Sequence, residues 1–86
     1  MILTVDIGNS NVVIGCLNEK CETVALFRMV TDLKKTEDEY AAGMKNILEF
    51  NGLSCENIEG AIICSVVPPL TEIFRDAVEK IIGVRA

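Results

Sequence analysis

The sequence predicts an α/β fold, a mixed sheet with two helices in the order β-β-β-α-β-α. Three observations carry this. Near the N-terminus, three apolar, β-rich segments are separated by short polar breaks, the pattern of an antiparallel meander. Two later segments repeat apolar residues at helical spacing. Between those segments lies a nearly unbroken β-branched run, so a helix connects the meander to a fourth strand. A helical crossover of this kind places the fourth strand parallel to the first, which gives the strand order 3-2-1-4.

Each element has a local reason. Ile2 to Val5 is a short β-forming run that reads as a buried strand, with Asp6 at its C-terminal end. Asn11 to Leu17 is the second strand, and Asn18-Glu19-Lys20 is a break of hairpin length. Cys21 to Val30 is the third, with Thr23, Ala25, Phe27 and Met29 on one face and Glu22, Val24, Leu26 and Arg28 on the other. Thr31 to Lys35 is a polar connection. Thr36 opens T-E-D-E, a capping box in which Thr36 caps and Glu39 reaches back. The three acids suit the positive end of the helix dipole. Tyr40, Met44, Ile47 and Leu48 form an apolar stripe, and Asn51-Gly52 is a helix stop.

Gly60 to Val67 is apolar almost throughout and reads as a central strand buried on both faces. Pro68-Pro69 ends it and opens a helix. Leu70, Ile73, Phe74, Ala77, Val78, Ile81 and Ile82 then mark an amphipathic helix that Gly83 closes. An α/β pattern ending on an apolar helix and Val84-Arg85-Ala86 looks truncated, and a further strand is the expected next element.

Bulk properties narrow the function. Eighty-six residues make one small domain with a marginal core. Thirteen acids against eight bases give a net charge of −5, which is not the electrostatic footprint of a nucleic-acid binder. No apolar stretch reaches transmembrane length. The start MILTVDIGN lacks a basic region, and Asp6 interrupts its apolar run, so it does not read as a secretory signal. The expected location is the cytoplasm. Cys16, Cys21, Cys55 and Cys64 include no C-x-x-C pair and the chain has no His, which disfavours zinc and excludes a Cys–His nucleophile within the chain. Cys16 and Cys21 flank the hairpin turn and could approach each other, but free buried thiols are the expectation in a cytosolic protein.

The stretch DIGNSNVVIG, residues 6 to 15, carries the chemistry. Gly8 removes a side chain where the backbone turns and leaves room for a ligand. Asn9, Ser10 and Asn11 bring short polar groups, and their backbone N–H groups can converge on an anion. Asp6 is a candidate ligand for Mg²⁺ travelling with phosphates. Neither a P-loop nor a dinucleotide fingerprint is present. A plain Gly/Asn turn is the competing reading. What weighs against it is the expectation that an acid closing a buried central strand needs a partner.

Four motifs in order, D-I-G-N-S-N at 6–11, T-D at 31–32, T-E-D-E-Y at 36–40 and S-V-V-P-P-L-T at 65–71, resemble the N-terminal third of the type III pantothenate kinases. The resemblance spans nearly the whole chain. It implies a ribonuclease H-like half-domain of the actin-like ATPase superfamily, with residues 1–86 as an N-terminal ATP-phosphate-binding lobe. It also implies ATP-dependent phosphorylation of pantothenate in coenzyme A biosynthesis, Mg²⁺ and a monovalent cation (K⁺ or NH₄⁺), and a homodimer. By the same resemblance Asp6, Ile7, Gly8, Asn9, Ser10, Asn11, Val12 and Val13 form the first phosphate loop, with Asp6 at the metal. Ser10 stands where Thr is commoner and keeps the hydroxyl. Thr36 reads first as a helix cap, and Ser65 to Pro69 first as a strand end. The family's general base, in a G-A-D-R motif, has no counterpart among these residues, so the chain alone is expected to be inactive. Two other readings are a ribonuclease H-like nuclease, which needs more carboxylates around Asp6, and a non-catalytic nucleotide-binding or dimerising module.

Overall fold

A computed structural model describes residues 1–86. Its elements are β1 (Ile2–Ile7), β2 (Asn11–Leu17), β3 (Thr23–Val30), α1 (Glu37–Phe50), a 3-10 turn (Cys55–Asn57), β4 (Gly60–Ser65) and α2 (Pro68–Ile82). The sheet order is β3-β2-β1-β4. β1 runs antiparallel to β2 and parallel to β4, and β2 runs antiparallel to β3. This is the predicted mixed sheet. β1 is its natural centre, with Leu3, Val5 and Ile7 all buried.

Alternation along the strands splits the sheet into two unlike faces. Leu3, Val5 and Ile7 of β1, Val12, Ile14 and Cys16 of β2, and Ala25 of β3 join one core with Tyr40, Met44 and Leu48 of α1 and Leu70, Phe74, Ala77 and Val78 of α2. Both helices therefore lie on this face. The Tyr40 and Phe74 rings meet at 4.3 Å between centroids, tilted by 40°, and stitch the helices together. The opposite face carries no helix, and Leu26, Val30, Ile62 and Val66 are exposed on it.

The helix ends follow the sequence signals. Thr36 Oγ1 accepts from the Glu39 amide, and the Glu39 carboxylate accepts from the Thr36 amide, completing the capping box. Gly52 and Gly83 take the left-handed conformation, at φ 77° and 74°, as the turns after the two helices require. No helix is long and apolar enough to cross a membrane.

Three expectations are corrected. The third strand starts at Thr23 rather than Cys21, because a side chain captures the preceding amides. Asn18 Oδ1 accepts from the backbone N–H groups of Lys20 and Glu22, at 2.9 and 3.0 Å, while Cys21 turns the chain at φ 62°. β4 ends at Ser65 and is an edge strand, not a doubly buried one. Its apolar residues alternate between the core face and the bare face, where Ile62 is 61% exposed. Of the four free cysteines, Cys16 and Cys55 are buried as expected, but Cys21 and Cys64 are exposed. Burial pushes the Cys16 and Cys55 thiols above the ordinary range.

Candidate phosphate loop

The C-terminal end of β1 meets β2 through Gly8, Asn9 and Ser10. The eight residues of interest divide by burial. Ile7 and Val12 are fully buried and anchor the loop in the core. Gly8 and Val13 are half-buried, while Asp6, Asn9, Ser10 and Asn11 are exposed. The register sets this pattern: Ile7 pairs with Val12 and Asp6 with Val13, so Asp6 and Val13 share the bare face.

Asp6 is thus not the buried acid the sequence suggests. On an alternating strand, Leu3, Val5 and Ile7 take the core side and leave Thr4 and Asp6 on the other. Its carboxylate forms no ion pair, and its neighbours across the sheet are Val13 and Cys64. Burial therefore imposes no need for a partner on Asp6, and what distinguishes the loop is its backbone.

That backbone is unusual for a hairpin. The Gly8 amide donates to the Asn11 carbonyl at 2.9 Å. The reciprocal bond, from the Asn11 amide to the Gly8 carbonyl, is not formed. Instead Thr31 Oγ1 donates to the Gly8 carbonyl at 2.7 Å, and the Thr31 amide donates to the Ser10 carbonyl at 3.1 Å. Neither Asn9 nor Ser10 has positive φ, which excludes the I′ and II′ turns that suit two-residue hairpins. The Asn9 and Ser10 amides donate to no protein atom. A Cβ on Gly8 would approach the Asn11 carbonyl oxygen to 3.1 Å, so this position favours glycine for space rather than for φ.

Two neighbouring segments frame the loop. Ser65 lies beside Ile7 in the parallel ladder, and the Val66 amide donates to the Ile7 carbonyl at 3.0 Å. Ser65 Oγ accepts from the Val67 amide at 3.0 Å and turns the chain into α2, so the strand-ending reading of 65–69 holds. On the other side, the buried Tyr40 hydroxyl donates to the Asp32 carbonyl at 2.7 Å and accepts from the Asp32 amide at 2.9 Å. Burial, more than any neighbouring charge, raises the Tyr40 pKa above its usual value. Sequence reading assigned no role to the Thr31 hydroxyl or the Tyr40 hydroxyl. Their signal was position: a threonine directly after β3, and a tyrosine one helical turn past the Thr36 cap.

Nowhere do three His, Cys, Asp or Glu side chains gather as a metal-binding group. A lone exposed carboxylate suits Mg²⁺, which keeps most of its water and is shared with phosphate oxygens. It does not suit a two-metal nuclease centre. The largest hollow, about 650 Å³, lies at the opposite end of the sheet among Met1, Asn18, Glu19, Lys20, Glu22, Glu56, Asn57 and Glu59. Four of these are carboxylates, a poor surface for an anion. The loop itself lines no hollow and stands as an open rim.

A mixed 3-2-1-4 sheet, with a glycine-containing polar loop leaving its central strand and both helices on one face, defines an α/β unit that presents backbone donors at one sheet end. The sequence pattern of the type III pantothenate kinase family matches residues 2–86, and the chain belongs to that family. Its class is accordingly that of the kinases, transferases of coenzyme A biosynthesis.

Proposed function

We propose that the chain is the ATP-phosphate-binding lobe of an enzyme that transfers a phosphoryl group from ATP to pantothenate in the cytoplasm. One observation carries the reading: in a chain of this family, the Asn9 and Ser10 amides at the end of the central strand are free to donate. Converging backbone N–H groups are a recurrent anion-binding device. Gly8 lets the polyphosphate approach the backbone, Asn9, Ser10 and Asn11 line it, and Ile7, Val12 and Val13 fix the loop to the sheet. Asp6 is the residue that would hold Mg²⁺, which would supply positive charge to the phosphate oxygens.

One wall does not make a kinase. Phosphoryl transfer to a hydroxyl needs in-line positioning and charge stabilisation from both sides of the donor. The 86-residue chain by itself therefore binds MgATP without turning it over. A homodimer and a site for K⁺ or NH₄⁺ belong to the same reading, and no side chain of this chain is assigned to either.

Titration calorimetry with MgATP, alongside an assay of ADP release in the presence of pantothenate, tests this. The expected result is saturable MgATP binding and no turnover. Asp6→Asn should weaken binding about tenfold, equivalent to about 1.4 kcal/mol, and leave the melting temperature unchanged because Asp6 has no partner to lose. Absence of MgATP binding by the folded chain overturns the reading. Metal-dependent cleavage of nucleic acid, lost on Asp6→Asn, would replace it with the nuclease.

A further inference from the structure

We propose that Thr31 is a positioning residue for this loop, setting the direction in which its free Asn9 amide points. The inference rests on the reading of residues 8–11 as the polyphosphate contact. Thr31 grips the loop at two carbonyls, Gly8 through its hydroxyl at 2.7 Å and Ser10 through its amide at 3.1 Å. Those carbonyls flank Asn9. A trans peptide unit is planar, with its C=O and N–H directed oppositely. Holding the Gly8 oxygen toward Thr31 therefore turns the Asn9 N–H away from it.

The alternative conformation is specific. Were the Gly8 carbonyl free, the Asn11 amide, already opposite it, could take it and close an ordinary tight hairpin. The bond from Thr31 Oγ1 holds that carbonyl toward Thr31 and out of line with the Asn11 amide, which does not reach it. The clamp is itself braced. Asp32, the next residue, is held at both its amide and its carbonyl by the Tyr40 hydroxyl, and the Tyr40 ring is locked against Phe74 in the core. A continuous chain of contacts thus runs from the α1–α2 contact through Tyr40, Asp32 and Thr31 to the loop.

The test compares Thr31→Val and Thr31→Ser in the full 86-residue chain, with MgATP as probe and hydrogen exchange at Asn9 and Ser10 as a second readout. Valine keeps the shape and the backbone bond to Ser10 but deletes the hydroxyl. It should weaken MgATP binding about tenfold and change the exchange rate at Asn9 more than at Ser10. Serine restores the hydroxyl and should bind within about twofold of the parent. Equal affinity of the parent and Thr31→Val overturns the positioning role while leaving the phosphate loop intact. An equal loss in Thr31→Ser also overturns it, since the methyl group would then be what matters, and this holds even if Thr31→Val fails to fold. No MgATP binding by the parent chain removes both readings together, a pattern distinct from the other two.

Discussion

The two hairpins of this sheet solve the same problem in opposite ways. The turn between β2 and β3 is self-sufficient. Asn18 binds the Lys20 and Glu22 amides through its side chain, its carbonyl takes the Cys21 amide at 3.0 Å, and its own amide reaches the Glu22 carbonyl at 3.0 Å. All its backbone donors but the Glu19 amide are consumed internally, and Cys21 accepts positive φ to allow it. The turn between β1 and β2 makes only one such bond, Gly8 to Asn11, and is held from outside by Thr31. What a turn spends on itself it cannot offer to a ligand. The externally clamped turn is the one that keeps its amides free, and it lies at the end of the sheet away from the carboxylate cluster.

The largest expected effect comes from cutting the brace. Tyr40→Phe keeps the ring and deletes the hydroxyl that serves both polar groups of Asp32. Leaving the Asp32 amide without a partner, and its carbonyl with only the 3.4 Å bond from the Lys35 amide, should cost about 1–3 kcal/mol, read from urea denaturation. Amide exchange should rise at Thr31, while Cys21 and Glu22 on the other hairpin keep their protection. Alkali does the same thing by titration. Because the folded pKa of Tyr40 is raised, the folded state holds its proton longer than the unfolded chain does. This contribution is fully present below pH 10 and is lost as pH rises from there through the folded pKa. The Cys16 and Cys55 thiols, raised for the same reason, begin their loss from pH 9. Lys80, raised from 10.5 by its hydrogen bond to Asp38, also contributes above pH 10, so Tyr40→Phe should shrink the upper part of the alkaline decline and leave the lower part. An unchanged profile would remove Tyr40 from the brace.

Ser10→Gly probes the contrast from the other direction. It creates Asn-Gly at the two turn positions, the pair that most favours a type I′ hairpin. The first turn should then become self-sufficient like the second, with the Asn11 amide bonding the Gly8 carbonyl. Stability should hold or rise by a few tenths of a kcal/mol, whereas MgATP affinity falls several-fold. In this background Thr31→Val should have no further effect on affinity. Additive losses would mean that turn closure and the Thr31 clamp are independent.

Much of this was legible in the sequence, and the misses share a cause. The Asn11–Leu17 strand, the Thr36 capping box, the glycine stops and the strand order all follow from signals local in the chain or from connection rules. The false start of β3 at Cys21 came from reading apolar character without asking where the backbone amides go; Asn18 had taken two of them. The apolar run of β4 suggested burial on both faces, but an edge strand beside a helix-free face exposes alternate residues whatever their character. For Asp6, the buried setting inferred from the sequence was wrong, because strand parity places it outward. The loop residues themselves stand in a contiguous stretch. The clamp does not: Thr31 reaches Gly8 across 23 positions, and only the register of three strands brings them together.

The smallest effect tests whether the self-sufficient turn is as irrelevant to binding as its geometry indicates. Asn18→Ala deletes the side chain that accepts from Lys20 and Glu22, on an exposed turn where water replaces the lost partner. The expected cost is about 1 kcal/mol, seen as a modest shift in the urea midpoint without a change in slope. MgATP affinity should stay within about twofold, because the two turns cap opposite ends of β2 and share no hydrogen bond. Should Asn18→Ala weaken MgATP binding as much as Thr31→Val, then loosening the sheet anywhere disturbs the loop. The special standing given to Thr31 would dissolve into general stability. If the two separate cleanly, a destabilised chain that still binds set against a stable one that does not, the direction of the Asn9 amide is what the Thr31 hydroxyl controls.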